Sequence, residues 1–519
     1  MVSANPDPFP DVNLVDKLLA EQSTLQTPVA KFSEEFERGQ DRRDLFQHLI
    51  PLQKPREGEQ YAFQVELDKC TGCKACVVAC HTLNGLDEDE AWRDVGLLES
   101  SPSNPGFQQT VTTACHHCLD PECLNGCPVG AYEKEADTGI VRHLDDQCIG
   151  CEYCILKCPY DVPKYSEKRG IVRKCDMCHQ RLADGEAPAC VQACPTEAIS
   201  IIKIDTTLLR KNNNFLPGAP TPEITTPTTR YIGRNIPTEA TAADQSQLVA
   251  QPAHWPLALM LVLTQLGLGL SSASLWTGLS ATSLFGSTTH PVDGASTSIA
   301  GALIFNAGMI AATLHLGKPL KAWRFFLGLK TSWLSREILA FSLLAPIPLI
   351  LAAFPFLPDF PLKEFALTAT KIFLIPVALG AIFTSVMIYH DTKRINWHLS
   401  KSLPAFLLTF ASAATLFIHP AFFTLSIIAL FLLDLKSLLP ARNTKWSPDQ
   451  HSAKLRLGPL ERVTRSRLLT LGLTIPLAFI NPWLTLPALL ATELCSRHLF
   501  FRTVHAPKMP GGLSSPSHN

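Results

Sequence analysis

The 519-residue chain lacks the features of a secretory leader: no basic segment, apolar run and small-residue cleavage site stand in order at its N-terminus. Arg42 and Arg43 are adjacent, but Asp41 and Asp44 flank them and no apolar run follows. The sequence thus carries no visible export address for its polar part. A basic stripe with interleaved aromatics is also missing there, so no nucleic acid is expected as a partner. The formal net charge of −1 averages two unlike regions. Up to about residue 250 there is no long apolar run, whereas from Trp255 onward Leu, Ala, Ile and Phe runs are separated by short basic loops. That division excludes one water-soluble core and implies a soluble part followed by a membrane-embedded part.

Cysteine is almost absent outside one stretch. Sixteen of the seventeen lie between Cys70 and Cys194; Cys495 stands alone in an apolar run, where it reads as a small buried hydrophobe. The sixteen form four quartets: Cys70, Cys73, Cys76, Cys80; Cys115, Cys118, Cys123, Cys127; Cys148, Cys151, Cys154, Cys158; and Cys175, Cys178, Cys190, Cys194. Each ends in Cys-x-x-x-Cys, and in the last three a proline follows, at Pro128, Pro159 and Pro195. This is the ligand pattern of four cubane 4Fe-4S clusters. Three thiolates come from one tight loop and the fourth from elsewhere; in two-cluster ferredoxins the last cysteine of each run ligates the other cluster. Spacing alone leaves the pairing order open. Disulfide frameworks suit small secreted domains. Structural zinc on Cys175, Cys178, Cys190 and Cys194 is a further alternative, against which the Cys-Pro endings weigh. His81, His116 and His117 sit beside ligands, where hydrogen bonding is their expected role.

The expected fold is an α+β ferredoxin-like domain of two two-cluster modules, then an all-α polytopic membrane domain. Residues 1–59 read as a polar extension, with a helix candidate from Asp11 to Leu25 and a charged run from Ser33 to Asp44. Residues 60–204 hold the clusters. Alternation from Tyr61 to Leu67 predicts a half-buried strand, with further strands from Gly139 to Arg142 and from Ile199 to Ile204. The similar endings Cys127 to Ala131 and Cys194 to Ala198 mark an internal repeat. Residues 205–254, rich in Thr, Pro and Asn, read as an extended linker. Residues 255–505 form the membrane domain and 506–519 a disordered tail.

About eight spans are expected: Trp255 to Leu279, Ala295 to Leu316, Glu337 to Leu357, Phe365 to Tyr389, Pro404 to Ile418, Pro420 to Leu439, Leu468 to Ile480 and Trp483 to Phe500. The fifth and seventh are short. Lys and Arg concentrate after the even-numbered helices, for example Lys318, Lys321, Arg324, Lys330 and Arg336, while the odd loops hold only Lys363. Cytoplasmic loops carry that excess. The polar domain and the C-terminus are therefore expected on the cytoplasmic side of a bacterial inner membrane, a periplasmic placement being the alternative.

The runs Cys-Thr-Gly-Cys-Lys-Ala-Cys (from Cys70), Cys-His-His-Cys-Leu-Asp-Pro-Glu-Cys (from Cys115), Cys-Ile-Gly-Cys-Glu-Tyr-Cys (from Cys148), Cys-Pro-Tyr-Asp-Val-Pro (from Cys158) and Lys-Cys-Asp-Met-Cys (from Lys174) resemble the four-cluster electron-transfer subunit of dimethyl sulfoxide reductases in the molybdopterin oxidoreductase superfamily. The likeness covers about residues 60 to 232, including Thr226 to Tyr231. It implies that one cluster takes Cys70, Cys73, Cys76 and Cys194, and its neighbour Cys80, Cys175, Cys178 and Cys190. The inner pair takes Cys115, Cys118, Cys123 with Cys158, and Cys127 with Cys148, Cys151, Cys154. Cys118 and Cys123 are both present, so four cubanes are implied rather than three and a three-iron cluster. Lys74, Lys157 and Lys174 are charges that tune potentials.

The segments His315 to Arg324 and Ser332 to Ile338, with Glu493 and Arg497 to Phe500, resemble the anchor subunit of the same reductases. The implied function is quinol (menaquinol) oxidation in anaerobic respiration, with His315 and Glu337 at the quinol site and Arg324 and Arg336 beside it. The implied partners are the quinol pool, the bilayer and a separate molybdopterin catalytic subunit, since this chain shows no substrate pocket of its own. Reverse flow, from a formate-, hydrogen- or sulfur-compound-oxidising partner into quinone, and a membrane-tethered iron-sulfur redox sensor are the alternatives.

Overall fold

The computed structural model describes residues 45–100, 106–211, 215–233, 235–278, 293–359 and 361–511, with short pieces at 18–21, 30–31, 34 and 37. The expected helix from Asp11 to Leu25 is described only at 18–21, where it is helical, and nearly all of the charged run lies outside the described residues.

The cluster domain is built from short strands. β1 (Glu59–Glu66) pairs antiparallel with β8 (Ile199–Asp205), Phe63 lying opposite Ile201, and parallel with β9 (Arg230–Ile232). β2 (Asp94–Glu99) and β3 (Gln108–Thr113) form a hairpin joined by β10 (Thr241–Ala242). Two small hairpins complete it, β4 (Tyr132–Lys134) with β5 (Val141–His143) and β6 (Lys164–Ser166) with β7 (Ile171–Arg173). β1 is buried on both faces rather than one. The 115–118 loop covers its second face, where Gln60 Nε2 donates to His117 O at 2.8 Å.

Three sequence boundaries move. Residues 205–254 are not a free linker, because β9 and β10 lie inside them and complete two sheets of the cluster domain. Composition misled here, since three-residue strands need little apolar content when their partners supply the core. Nor are residues 506–511 disordered. Leu97 N donates to Gly511 O at 3.2 Å, Lys508 Nζ lies 2.5 Å from Asp244 Oδ2, and Met509 is buried. From the N-terminal extension, Phe46, Leu49 and Ile50 are buried in the same core as Tyr61 and Phe63.

The membrane domain comprises α1 (Trp255–Gly278), α2 (Gly294–Leu314), α3 (Trp333–Leu344), α4 (Pro346–Ala353), α5 (Lys363–His390), α6 (Leu399–Leu416), α7 (Pro420–Leu438), α8 (Pro448–Leu457), α9 (Glu461–Ile480) and α10 (Pro482–Arg502). Among the described residues seven helical stretches are long and apolar enough to cross a bilayer; α3 and α4 form one, Trp333–Phe356. α10 has the length, at 21 residues, but Glu493, Arg497 and Arg502 lower its apolar character. α8 is a short polar helix. α9 starts a full turn and more before the sequence suggested, because Arg467 is buried inside it.

α1 is the central helix, buried along most of its length. Its small residues allow the close approach of α2: a Cβ on Gly267 would lie 2.7 Å from Gly301 O and 2.5 Å from Phe305 N. Between helices in lipid, such contacts replace the missing hydrophobic drive. α10 folds back along α9, and Arg502 O accepts from Gln251 N at 3.0 Å, which returns the chain to the cluster domain. Cys495 is half-buried.

Candidate functional site

The cysteine loops share a backbone device. The residue before the second cysteine of each quartet is left-handed: Gly72, His117, Gly150 and Met177, with φ of 73°, 41°, 68° and 59°. Two of the four are not glycine, so the surrounding contacts must hold the strained turn. It curls the loop and points successive side chains inward. After the Cys-Pro endings the third residue is left-handed as well, at Gly130, Asp161 and Glu197. That turn aims an N–H back at sulfur: Ala131 N and Ala198 N donate to Cys127 and Cys194 Sγ, both at 3.2 Å. The first quartet has no proline and no such turn. Cys80 instead sits inside the helix Ala75–Asn84, where Asn84 Nδ2 lies 3.6 Å from its sulfur.

The sixteen thiols are unpaired and gather in four groups. Cys70, Cys73, Cys76 and Cys194 line one small cavity. Cys80 lies among Cys178 and Cys190, and Cys175 beside Cys80. Cys123 neighbours Cys158, Cys115 and Cys118. Cys154 neighbours Cys151, Cys148 and Cys127. The groups stand in a row: Cys76 is near Cys190, Cys175 near Cys115, and Tyr132 beside Cys154 and Cys123.

Burial pushes the Cys80 thiol up to about 12 and Cys158 to about 11. Such buried thiols become thiolates only when strong positive charge sits on them, which bound iron supplies. Part of that charge is already built in. The fully buried Arg93 lies among Cys190, Cys76, Cys175 and Cys80, and Lys174 Nζ is 3.6 Å from Cys115 Sγ. Among the described residues no three His, Cys, Asp or Glu side chains converge tightly enough for a single metal ion. In a 4Fe-4S cube each of the four irons takes one thiolate, so its ligands are spread wider than those of a single tetrahedral zinc. The donor sets fit the cube. His116 Nδ1 lies 2.8 Å from Thr229 Oγ1, and His117 Nδ1 accepts from Val141 N at 3.1 Å.

The group around Cys151 abuts the membrane domain. The His315 ring lies against the Cys151 backbone, its Nε2 is buried without a partner, and Lys318 N donates to Ile149 O at 3.0 Å. Gly317 lets the chains meet: a Cβ there would lie 2.1 Å from Gly170 O. Tyr153, one residue before Cys154, donates to Ile388 O at 3.1 Å and Asp391 Oδ2 at 3.3 Å. The buried Lys157 Nζ pairs with Glu122 and, at 2.8 Å, with Asp391.

Glu337, on α3, is buried and accepts a hydrogen bond from Ser385 Oγ of α5. Tyr153 and Tyr389 are within electrostatic reach of it. The two arginines do not join it. Arg324 Nη2 donates to Gln147 Oε1 at 2.9 Å in the cluster domain, and Arg336 donates to Leu329 O and Lys330 O at 3.1 and 2.7 Å. Sequence reading missed His254, whose ring centroid is 5.9 Å from that of His315 and which lies 3.8 Å from Glu152. Its position just before an apolar run was the available signal. Ser385, one of many hydroxyls in the spans, gave none.

Comparison with known proteins matches residues 107–204 to the 4Fe-4S dicluster domain and residues 252–438 to the DMSO reductase anchor subunit (DmsC). The B subunit of the anaerobic dimethyl sulfoxide reductase of Haemophilus influenzae is 38% identical over 156 residues, which is 28% of this chain and 76% of the relative. Its Escherichia coli counterpart is 37% identical over 171 residues, 31% of this chain and 82% of the relative. The Salmonella typhi thiosulfate reductase electron transfer subunit PhsB is 36% identical over 149 residues, 28% of this chain and 77% of the relative. The chain therefore belongs to the iron-sulfur electron-transfer subunits of the dimethyl sulfoxide reductase family, here continuous with an anchor-subunit domain.

Proposed function

We propose that this chain oxidises membrane quinol, menaquinol by preference, and relays the electrons through four 4Fe-4S clusters to a separate molybdopterin-containing reductase of anaerobic respiration. The cluster facing the membrane would take Cys127, Cys148, Cys151 and Cys154. Next in the row come Cys115, Cys118, Cys123 and Cys158, then Cys80, Cys175, Cys178 and Cys190, and last Cys70, Cys73, Cys76 and Cys194. When bound, the clusters supply one-electron carriers.

The observation that carries this reading is the seating of the His315–Lys318 segment on the Cys148–Cys151 loop, with Leu316 packed against that cysteine group and Lys318 N on Ile149 O, which brings a protonatable side chain of the membrane domain to it. Oxidation of quinol to quinone releases two electrons and two protons. The unpartnered His315 Nε2 accepts a hydrogen bond and then a proton from one hydroxyl. The Glu337 carboxylate, oriented by Ser385, takes the second proton. Both residues sit at the end of the bundle that meets the cluster domain, which keeps the electron path short. Arg324 and Arg336 have positioning roles in the connecting loop.

Eight crossings are supported by the return of 502–511 to the cluster domain, because an odd number would leave the C-terminus on the far side. The basic loops 317–332 and 391–401 belong to that face, which favours a bacterial inner membrane with the cluster domain in the cytoplasm. In right-side-out vesicles residues 246–254 should resist added protease; cleavage there would overturn the sidedness.

The test of function is reduction of the purified full chain by a menaquinol analogue, followed by electron paramagnetic resonance. Cluster signals should appear with the wild type and fail in His315→Ala. Equal reduction of both overturns the site, and absence of signal with the wild type overturns quinol oxidation. Flow into quinone is the second reading. It is favoured by 34% identity to the Escherichia coli formate dehydrogenase-O iron-sulfur subunit over 30% of this chain and 58% of the relative. Clusters that reduce a quinone faster than quinol reduces them would support it.

A further inference from the structure

Away from the quinol residues, and independent of them, a cavity of about 280 Å³ opens where the first turn of α6 meets the ends of α7 and α10 and one side of α8. Lys401, Ser402, Lys436, Arg456 and Arg497 are among its lining residues, with Asp434 and Asp449. Arg497 is 1% exposed and Ser402 3%. Nε of Arg497, Nε of Arg456 and Oγ of Ser402 are buried donors without a hydrogen-bond partner.

The cations outnumber the carboxylates, and the carboxylates are already engaged. Asp449 pairs with Lys401 at 2.6 Å and accepts from Asn396 Nδ2 at 3.0 Å. Asp434 faces Arg467 at 3.0 Å and Arg456 at 3.5 Å. Glu493 behind the wall is held by Arg467 at 2.7 Å. Arg497 makes no ion pair among the described residues, and Glu493, one turn back, reaches it only through Thr409, whose Oγ1 donates to Glu493 Oε2 at 2.6 Å. Arg497 Nη2 donates to Gln265 Oε1 at 2.9 Å and Thr409 Oγ1 at 3.0 Å, and its Cζ lies 4.0 Å over the Phe406 ring. Lys436 makes no ion pair among the described residues. A buried guanidinium with no anion in contact is unfavourable in a membrane domain.

We propose that the cavity binds the phosphodiester head group of an anionic phospholipid. Its height argues for that source over free phosphate: it lies at the ends of spanning helices, where lipid head groups sit, and basic pockets between such helices suit them. Leu432, Leu435 and Leu439, exposed beside Leu433 and Lys436, offer an apolar flank to acyl chains that an inorganic ion cannot use. Bound there, the lipid would tie α6, α7 and α10 together beneath the residues that return to the cluster domain.

Native mass spectrometry of the delipidated full-length protein tests this, with phosphatidylglycerol, phosphatidylethanolamine and inorganic phosphate as probes. One phosphatidylglycerol should be retained, with about tenfold preference over phosphatidylethanolamine. Lys436→Gln, on a solvent-facing side chain, should weaken it about fivefold, and Ser402→Leu, which fills the cavity, should abolish it. Equal retention of the two lipids, or unchanged phosphatidylglycerol binding in Lys436→Gln, overturns the proposal. Inorganic phosphate that displaces the lipid at submillimolar concentration overturns the lipid as source.

Discussion

Two buried glutamates in the membrane domain, Glu337 and Glu493, look alike in sequence and each accept from one hydroxyl, but they differ in their charged contacts. Glu337 accepts from one hydroxyl, Ser385, and no cation touches it, because neighbouring Arg336 turns to the carbonyls of Leu329 and Lys330. Glu493 is fully buried, accepts from Thr409 Oγ1 at 2.6 Å, and is locked to Arg467, which also grips Asp434. Burying a carboxylate is costly unless an opposite charge and further hydrogen bonds compensate. Glu493 has that compensation. Glu337 lacks it among the described residues, which suits the proton-accepting role proposed for it. An acidic residue in a span marks function only when its counter-charge is not already present.

The contrast can be broken by substitution. Glu337→Gln should lower quinol-driven cluster reduction by about 10²-fold or more, as loss of a general base does, with the melting temperature little changed. A normal rate would remove Glu337 from the mechanism. Arg467→Met should act on stability instead, at about 3–5 kcal/mol for a buried pair broken on one side. A thermal melt reads it, and adding Glu493→Gln should restore part of the loss. If the single variant melts like the wild type, the network is not a strut. Gly317→Ala lies between these extremes. Its methyl group meets Gly170 O, costs about 1–3 kcal/mol of overpacking, and should slow reduction by disturbing His315 two residues away; hydrogen exchange at 149–151 checks it. Smallest is Arg336→Gln, at about 1 kcal/mol for its neutral carbonyl partners, with the reduction rate nearly unaltered. A large drop in rate would show that Arg336 acts on Glu337 after all.

What the sequence made legible follows from the range of the forces involved. Cysteine spacing is local: tight turns before Cys73, Cys118, Cys151 and Cys178 need only adjacent residues, so the quartets could be read directly. Which quartet meets which depends on β1 finding β8, nearly 140 residues away, and spacing was silent on that. The small strands β9 and β10 were invisible because composition called their segment polar. Likewise Arg467, Asp434 and Glu493 meet from three helices, and each alone looks like a defect in an apolar run. Glu493, with Arg497 and Arg502, kept α10 below the hydropathy of the seven other stretches. Arg336 and Arg324 stand near Glu337 and His315 in sequence, yet side-chain direction sends both elsewhere.

The tail that reaches β2 has a consequence in time. Leu97 is made early and its partner Gly511 about 400 residues later, which at about 5–20 residues per second of synthesis means a wait of at least about 20 s. Until then the Leu97 N–H and the Asp244 carboxylate lack these partners, although all sixteen cysteines of the quartets were made long before. These two contacts are thus the last of the cluster domain to form, after α10 has been made.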